Sequence, residues 1–466
     1  MSVVLFGFLL LAVRRPVVAI MVAWVTTVMQ ASVAGLVDGV SSSVGSAVRL
    51  IDEPLLLTLF LVLLLRRLTS QAQPRLSLAP LIPAVAVLAT GAASSLVSGL
   101  HGPATLLGVW YALKFWLILA VALLAPLTAS DLEWCYRIFR RVGVIVAISG
   151  LLDFLAPHVF RAVFHTGSAQ VSALRGSSVQ GFFVNPGEFS TFMSLMFAVT
   201  VAFFTVRRRR SDIAAALLFL ILSALSLRLK SVLSPLLVIA VLAVAVRSPG
   251  RRGLVAAGGW LAVAGLVLVP VYGQILEVQG AKYTSAAAGQ TPRGMLYSAG
   301  WHLAKGHFPL GTGFGTFGED ASRRYYSPIY TSLGWNDIHG LSPKFSEYLT
   351  DTSWPAVYTE LGLVGAAAFV VGMVSLLVRC RRAARSPDPM RATAGTLALA
   401  ALVSYIALSL GSPMLFNSPQ TVLPLALVAM AVGQRTGFRP DQPFGAIRPP
   451  VASELRDRPR TVVRSV

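Results

Sequence analysis

The residues best suited to chemistry in this chain are cations and carboxylates set in a sequence that has few of either. Arg293 opens a segment that reaches Trp301, and ten positions later comes Gly311-Thr312-Gly313-Phe314-Gly315. Asp351 follows, then Trp354, then Glu360 nine positions after Asp351. An earlier stretch, Ser226-Leu227-Arg228-Leu229-Lys230-Ser231, holds two cations within three residues. A guanidinium fork binds phosphate oxygens bidentately, and an ammonium adds a point charge. A carboxylate or imidazole within hydrogen-bond reach can take the proton of an attacking hydroxyl. These residue types could hold an anionic group beside a proton-accepting side chain, the candidates for the latter being Asp351, His339 and Glu360. Glu360 has a second reading, as a carboxylate that orients or caps the helix it begins. Trp354, Trp335, Tyr325 and Tyr326 offer flat faces for sugar rings, or equally anchors at a membrane interface. The three glycines fit a tight turn with close backbone approach. They follow no strand and open no βαβ unit, so a dinucleotide site is not indicated. There is no Asp-x-Asp in the same region, and Cys135 and Cys380 lack metal-ligand spacing, so neither a metal nor another cofactor is expected.

The elements that must hold these residues are membrane spans. Of 466 residues, 55% are hydrophobic and only 12% charged, and the mean hydropathy is +0.71. Soluble domains are about 25% charged, so a soluble enzyme is excluded. A spanning helix needs roughly 20 apolar residues. Runs near that length occur at 16–36, 78–98, 105–125, 142–160, 183–205, 253–272, 355–378 and 392–411. Shorter runs lie at 50–65, 212–227, 231–246 and 420–433, and a still shorter one at 2–13. The expectation is an all-α polytopic membrane protein with 12 or 13 spans. Its parts are an N-terminal membrane region (1–272), one long, partly helical loop (273–354), a C-terminal membrane region (355–433), and a disordered basic tail (434–466). The N-terminus has no basic flank or small-residue cleavage site and is not read as a cleaved signal.

Charge placement orients the spans. The net charge of +20 would suggest nucleic acid in a soluble protein. Here the clusters at Arg14-Arg15, Arg66-Arg67, Arg137/Arg140/Arg141, Arg207 to Arg210, Arg247/Arg251/Arg252 and Arg379 to Arg385 all fall on one side of the spans, as do seven arginines of the tail. The positive-inside rule makes that side cytoplasmic, with the C-terminus on it. The long loop is then extracytoplasmic. It carries six cations against six anions and is rich in Gly, Tyr, Trp and Ser, which argues for an ordered, functional segment. No nucleic-acid partner is expected. Among the cations that fall outside this topological signal, Arg228, Lys230 and Arg293 are the ones that matter for function.

Ionisable residues inside spans are functional candidates by default. Lys114 lies nine residues into 105–125 and Asp153 seven into 142–160, roughly 10–14 Å deep at 1.5 Å per residue. These consecutive helices could pair the two as a structural salt bridge. Alternatively Lys114 lines a path for an anionic lipid. Arg228 and Lys230 sit on a turn too short to leave the membrane surface, which suits an anion site.

Taken together, these pieces resemble the O-antigen ligase and O-antigen polymerase superfamily, integral-membrane glycosyltransferases that use sugars carried on undecaprenyl pyrophosphate. Arg293, Trp301, Gly311, Gly313, Gly315, Glu360, Gly362 and Gly365 match its pattern in order and spacing. Asn185-Pro186-Gly187-Glu188-Phe189 resembles its "N-P-N-x-x-A" at the mouth of a span. Arg228 falls where the family has an Arg on an outer turn. The resemblance covers about 183–378 and the layout of many spans with one long outer loop. One departure stands out: where the family has His-Asn, nine residues before the Glu, this chain has Asp351-Thr352. The resemblance implies a glycan moved from undecaprenyl pyrophosphate to an acceptor glycan or lipid hydroxyl, in surface-polysaccharide, exopolysaccharide or O-antigen synthesis. Arg293 and Arg228 would be catalytic, with Asp351, His339 or Glu360 as base. Lys230, Trp301, Gly311, Gly313, Gly315, Trp354, Asn185, Glu188 and Lys114 would bind substrate, the bilayer would supply the lipid, and polysaccharide assembly proteins would be partners. The rival readings are a secondary transporter, which would show inverted repeats and broken helices, and a non-catalytic component of a polysaccharide assembly complex.

Overall fold

The computed structural model describes residues 2–38, 41–69, 79–99, 102–125, 129–164, 179–183, 185–226, 228–245, 258–259, 262, 291–415 and 422–433. The protein is an all-α polytopic membrane protein; the described residues form helices and turns and no strand. In chain order the helices are α1 (Ser2–Arg14), α2 (Pro16–Asp38), α3 (Ser42–Val48), α4 (Asp52–Thr69), α5 (Ile82–Val97), α6 (Pro103–Leu124), α7 (Ala129–Leu155), α8 (Pro157–Phe164), α9 (Pro186–Arg207), α10 (Arg210–Leu225) and α11 (Leu229–Ala245). After a gap in the description come α12 (Pro292–Gly306), α13 (Asp320–Arg324), α14 (Pro328–Ser332), α15 (Trp354–Glu360), α16 (Gly362–Ala384), α17 (Pro389–Ser409) and α18 (Val422–Gly433).

Local sequence explains the starts. Proline, whose fixed φ suits the first helical turn, opens α2, α6, α8, α9, α12, α14 and α17. Asn185, Thr291, Ser327 and Asp388 cap α9, α12, α14 and α17 through their side-chain oxygens, satisfying amides that the helix leaves open.

Among the described residues, five helices are long and apolar enough to cross a membrane: Ala79–Val97, Pro103–Leu124, Pro186–Arg207, Gly362–Ala384 and Pro389–Ser409. They match five of the expected runs. The apolar windows of α9 and α17 are 83% buried and those of α5 and α16 only 33%, so α9 and α17 form the centre of the bundle and α5 and α16 its rim. Serine pairs cross this centre, Ser194 with Ser223 at 2.8 Å and Ser234 with Ser404 at 2.8 Å. Such hydrogen bonds join helices where no water competes. Most of the expected span 253–272, and all of the tail 434–466, lie outside the described residues.

Two expectations need correction. The run beginning at 355 is not one helix. Gly362 takes φ +69 and separates the short α15 from the spanning α16, because its backbone packs directly on Leu310 and Gly311. Lys114 and Asp153 are not partners either. Lys114 Nζ lies 2.6 Å from Asp52 Oδ2, while Asp153 Oδ1 receives Arg161 Nε at 2.9 Å. Sequence adjacency misled here: α6 packs against α4, α5 and α18, so its buried cation meets the helix beside it in space. The fully buried Asp153 also accepts from the amides of Gln180 (2.7 Å) and Gly181 (3.2 Å), which anchors the segment leading to Asn185.

The two ends of the bundle differ in charge. Arg207, at the end of α9, pairs with Glu133, and Arg140 reaches Asp212 at 2.9 Å. Asn185 and Lys230 lie at the starts of α9 and α11, and α16 starts at Gly362. A 22-residue helix such as α9 separates its ends by about 33 Å. The arginine clusters and the candidate polar residues Asn185, Lys230, Arg293 and Asp351 thus sit at opposite ends of the bundle. On the loop face, residues 291–353 build a core of their own from Leu296, Phe317, Tyr330, Trp335, Leu341 and Leu349.

Candidate active site

The glycine turn is the support of the site. Its amides bond to the protein itself: Gly311 to Ser94 Oγ (3.0 Å), Thr312 to the Thr359 carbonyl (2.8 Å), Gly313 to the Glu360 carbonyl (3.1 Å) and Phe314 to Ser95 Oγ (2.9 Å). Glu360 Oε1 then accepts from both Thr316 and Phe317 amides, at 2.8 Å each. Gly313 and Gly315 take φ +94 and +75. A methyl on Gly315 would stand 2.1 Å from the Ala104 carbonyl oxygen. The turn therefore locks the loop onto the ends of α5 and α6, with its donors turned inward rather than toward a ligand. Glu360 is the internal anchor of this lock. Burial, followed by the nearby Glu319, holds its carboxyl well above the usual range. Glu319 is likewise pushed up, to about 8, by burial first and by Asp320 next.

The sequence-predicted cations converge a short way off. Arg293 Nη2 lies 2.5 Å from Asp351 Oδ2. Lys230 Nζ contacts Ser412 Oγ, in the turn after α17. A methyl on Gly411 would meet Arg293 Nη1 at 3.8 Å and Lys230 Cδ at 3.9 Å, so the two side chains flank one glycine. A methyl on Gly187 would lie 3.5 Å from Lys230 Nζ, which puts the ammonium beside the first turn of α9. Arg228, Arg293, Asp351 and Glu188 are all within electrostatic range of Lys230. Asn185 and Glu188 cap one another: Asn185 Oδ1 accepts from the Glu188 amide at 2.9 Å, and its Nδ2 donates to Glu188 Oε1 at 3.0 Å.

Five separate stretches thus meet at one point: the start of α9, the start of α11, the start of α12, the residues before α15 and the turn after α17. The ionisable side chains are Arg228, Lys230 and Arg293 with Glu188 and Asp351, and the cluster lies at the positive end of the α9 dipole. The buried Nε of Arg293 has no hydrogen-bond partner among the described residues. Arg293 and Asp351 remain about one-third exposed, at 32% and 37% of their side chains. Chemically, the arrangement can receive an anion at a solvent-reachable point and present a carboxylate next to it.

Tyr297 is a member that its sequence context did not reveal. Its hydroxyl lies 3.0 Å from Thr352 Oγ1 and donates to the Leu410 carbonyl at 3.1 Å. It ties α12, the Asp351-Thr352 corner and the Gly411-Ser412 turn together. One signal was available in principle, since Tyr297 follows Arg293 by one helical turn and shares its face. Gly411 and Ser412 carried no comparable signal.

Other sequence candidates lie elsewhere. His339 is exposed and packs on Phe345, with ring centroids 5.1 Å apart; no hydrogen bond or ion pair joins it to Arg293 or Asp351. Lys114 is buried in the membrane bundle with Asp52. Trp301 is exposed on α12, edge-on to Tyr358. Trp354 donates its indole N–H to Ser409 Oγ at 3.0 Å and packs on Phe369. Trp335 is buried and stacks on Tyr330, so its ring belongs to the loop core. Tyr325 is exposed, and Tyr326 packs on Tyr330. Among the described residues, no group of three His, Cys, Asp or Glu is placed to hold a metal ion. No protein-family model matches this chain, and no curated protein matches it either.

Proposed function

We propose that this protein transfers or polymerises a glycan carried on undecaprenyl pyrophosphate, moving it to an acceptor sugar hydroxyl at the outer face of the cytoplasmic membrane during surface-polysaccharide synthesis. The observation that carries the reading is that Arg293 and Lys230, from distant parts of the chain, flank Gly411, with Asp351 on Arg293 and Arg228 within electrostatic range of Lys230. Cleavage of the sugar–pyrophosphate bond builds negative charge on phosphate oxygens. Pre-placed cations stabilise that charge most strongly in the transition state. Arg293 and Arg228 take the pyrophosphate, Lys230 adds its charge, and the α9 N-terminus supports the same sign. The pyrophosphate competes with Asp351 for Arg293. Released from the guanidinium, the Asp351 carboxylate accepts the proton of the acceptor hydroxyl as the new glycosidic bond forms. The arginine-rich face is cytoplasmic under the positive-inside rule, and the loop face is outside.

The test is surface-glycan analysis in a strain carrying Arg293→Ala at wild-type membrane level. Loss of the long-chain or attached glycan supports the reading, with shortened chains meaning polymerase and lost attachment meaning ligase. Unchanged glycans overturn it. The buried Lys114–Asp52 pair favours a transporter as the second reading, because ionisable groups inside a bundle mark translocation paths in carriers. Transport retained by Arg293→Ala but lost on neutralising Lys114 would select that reading.

A further inference from the structure

Helix α12 meets the ends of two different spans. Near its start, Tyr297 bonds to Leu410, the residue after α17. Beyond its end, Pro309 accepts from Val364 in the first turn of α16, and Leu310 packs on Gly362. Between these points Thr359 Oγ1 donates to the Gly300 carbonyl at 3.1 Å. The spans α16 and α17 are consecutive, so Leu410 and Gly362 mark their ends on the same face. A helix fixed at both ends to that level lies along the membrane surface and does not project from it.

Its uncovered face is of one kind. Ser298, Trp301, His302 and Lys305 are exposed at the i, i+3, i+4, i+7 spacing of a single stripe, and Phe308 follows at 67% exposure. Lys305 Nζ lies 5.1 Å from the Trp301 ring. Below Phe308, α16 presents exposed Val364, Val371, Val374 and Val378, a lipid-facing stripe. Leu96 and Val97, exposed at the end of α5, follow directly on Ser94 and Ser95, which hold the glycine turn. Exposed apolar side chains thus stand at the span ends where α12 is anchored, with Phe308 beside the first turn of α16. An amphipathic helix in the headgroup plane carries this mixture: aromatic rings at the acyl boundary and a lysine whose stem lies on them while its ammonium reaches the phosphates.

The geometry points to the stripe Trp301–Lys305–Phe308 as a bilayer-docking surface that sinks α12 into the headgroup layer. This rests on the span ends and the exposed face, independently of the transfer reading. The test uses the full-length protein in vesicles of three parts phosphatidylcholine to one part phosphatidylglycerol. The native Cys135 and Cys380 are buried, so a nitroxide is attached to Phe308→Cys, or in a second variant to Trp301→Cys. Tyr348→Cys, on the loop's own exposed surface, serves as the water reference. Power saturation compares collision with oxygen, which concentrates in lipid, and with a water-soluble nickel chelate. The expected result is a several-fold higher oxygen-to-nickel ratio at position 308, and an intermediate one at 301, relative to 348. A ratio at both positions equal to that at 348 overturns the proposal, as does shielding from both reagents, which would mean a protein occupant.

Discussion

Arg293 and Asp351 lie 58 positions apart in the chain, yet the guanidinium of one and the carboxylate of the other are 2.5 Å apart. The contact joins the first turn of α12 to the residues just before α15, at the point where Lys230 and Ser412 also meet. The pair is about one-third exposed, and solvent-reachable ion pairs contribute only about 0–1 kcal/mol to stability. Its weight is therefore functional in our reading, which makes function and folding separable by mutation.

Arg293→Ala and Asp351→Asn are each expected to lower glycan transfer by about 10²-fold or more, the size of losing a placed electrostatic or proton-transfer group. The melting temperature in detergent should move by no more than a few degrees. Parallel loss of activity and of folded protein would remove the functional role from the pair.

Gly315→Ala should destabilise the loop strongly. It adds a methyl 2.1 Å from the Ala104 carbonyl oxygen at a residue with φ +75, and a left-handed backbone alone costs a substituted residue about 1–3 kcal/mol. Gly306→Ala, where nothing lies within 4 Å, is the control and should melt like the wild type. Equal melting of both variants would show that the turn does not clamp the loop.

Stability of the loop should fall as pH rises. Glu319 sits with its carboxyl raised to about 8 by burial and by Asp320, so the folded protein holds a proton that the unfolded chain releases near pH 4.5. Its contribution is complete below about 4.5 and is lost as pH rises through about 8. Between pH 5 and 9 the wild type should lose melting temperature steadily, and Glu319→Gln should flatten that slope in part, Glu360 being raised as well. Superimposable pH curves for the two proteins would contradict the assignment.

Lys114→Met alone should be severely destabilising, by about 3–5 kcal/mol, because it leaves Asp52 charged and buried. Lys114→Met combined with Asp52→Leu should recover most of that loss. Membrane-extracted yield and melting temperature measure both. If the double variant is no better than the single one, the pair does more than hold α4 to α6.

The sequence by itself determined the class of the protein and most of its spans. Apolar runs long enough to cross a bilayer have few other uses, so Ala79–Val97, Pro103–Leu124, Pro186–Arg207 and Pro389–Ser409 were readable in one dimension. Prolines and capping residues fixed their starts. The sequence also separated Arg228, Lys230 and Arg293 from the bulk of the arginines, since charge placement relative to spans is a linear property. It did not determine who meets whom. Order in the chain pairs Lys114 with the next helix, whereas packing gives it Asp52. The Gly311–Gly315 run points to a tight turn, but that its amides bond to Ser94, Ser95, Thr359 and Glu360 is set only by packing. Trp335 looked available to a sugar and is buried under Tyr330. Tyr297, Gly411 and Ser412 joined the site unannounced. The physical reason is common to all of these: hydropathy and helix periodicity act over neighbouring residues, while pairing of buried charges, satisfaction of backbone donors and ring burial are decided by elements that only the tertiary fold brings into contact.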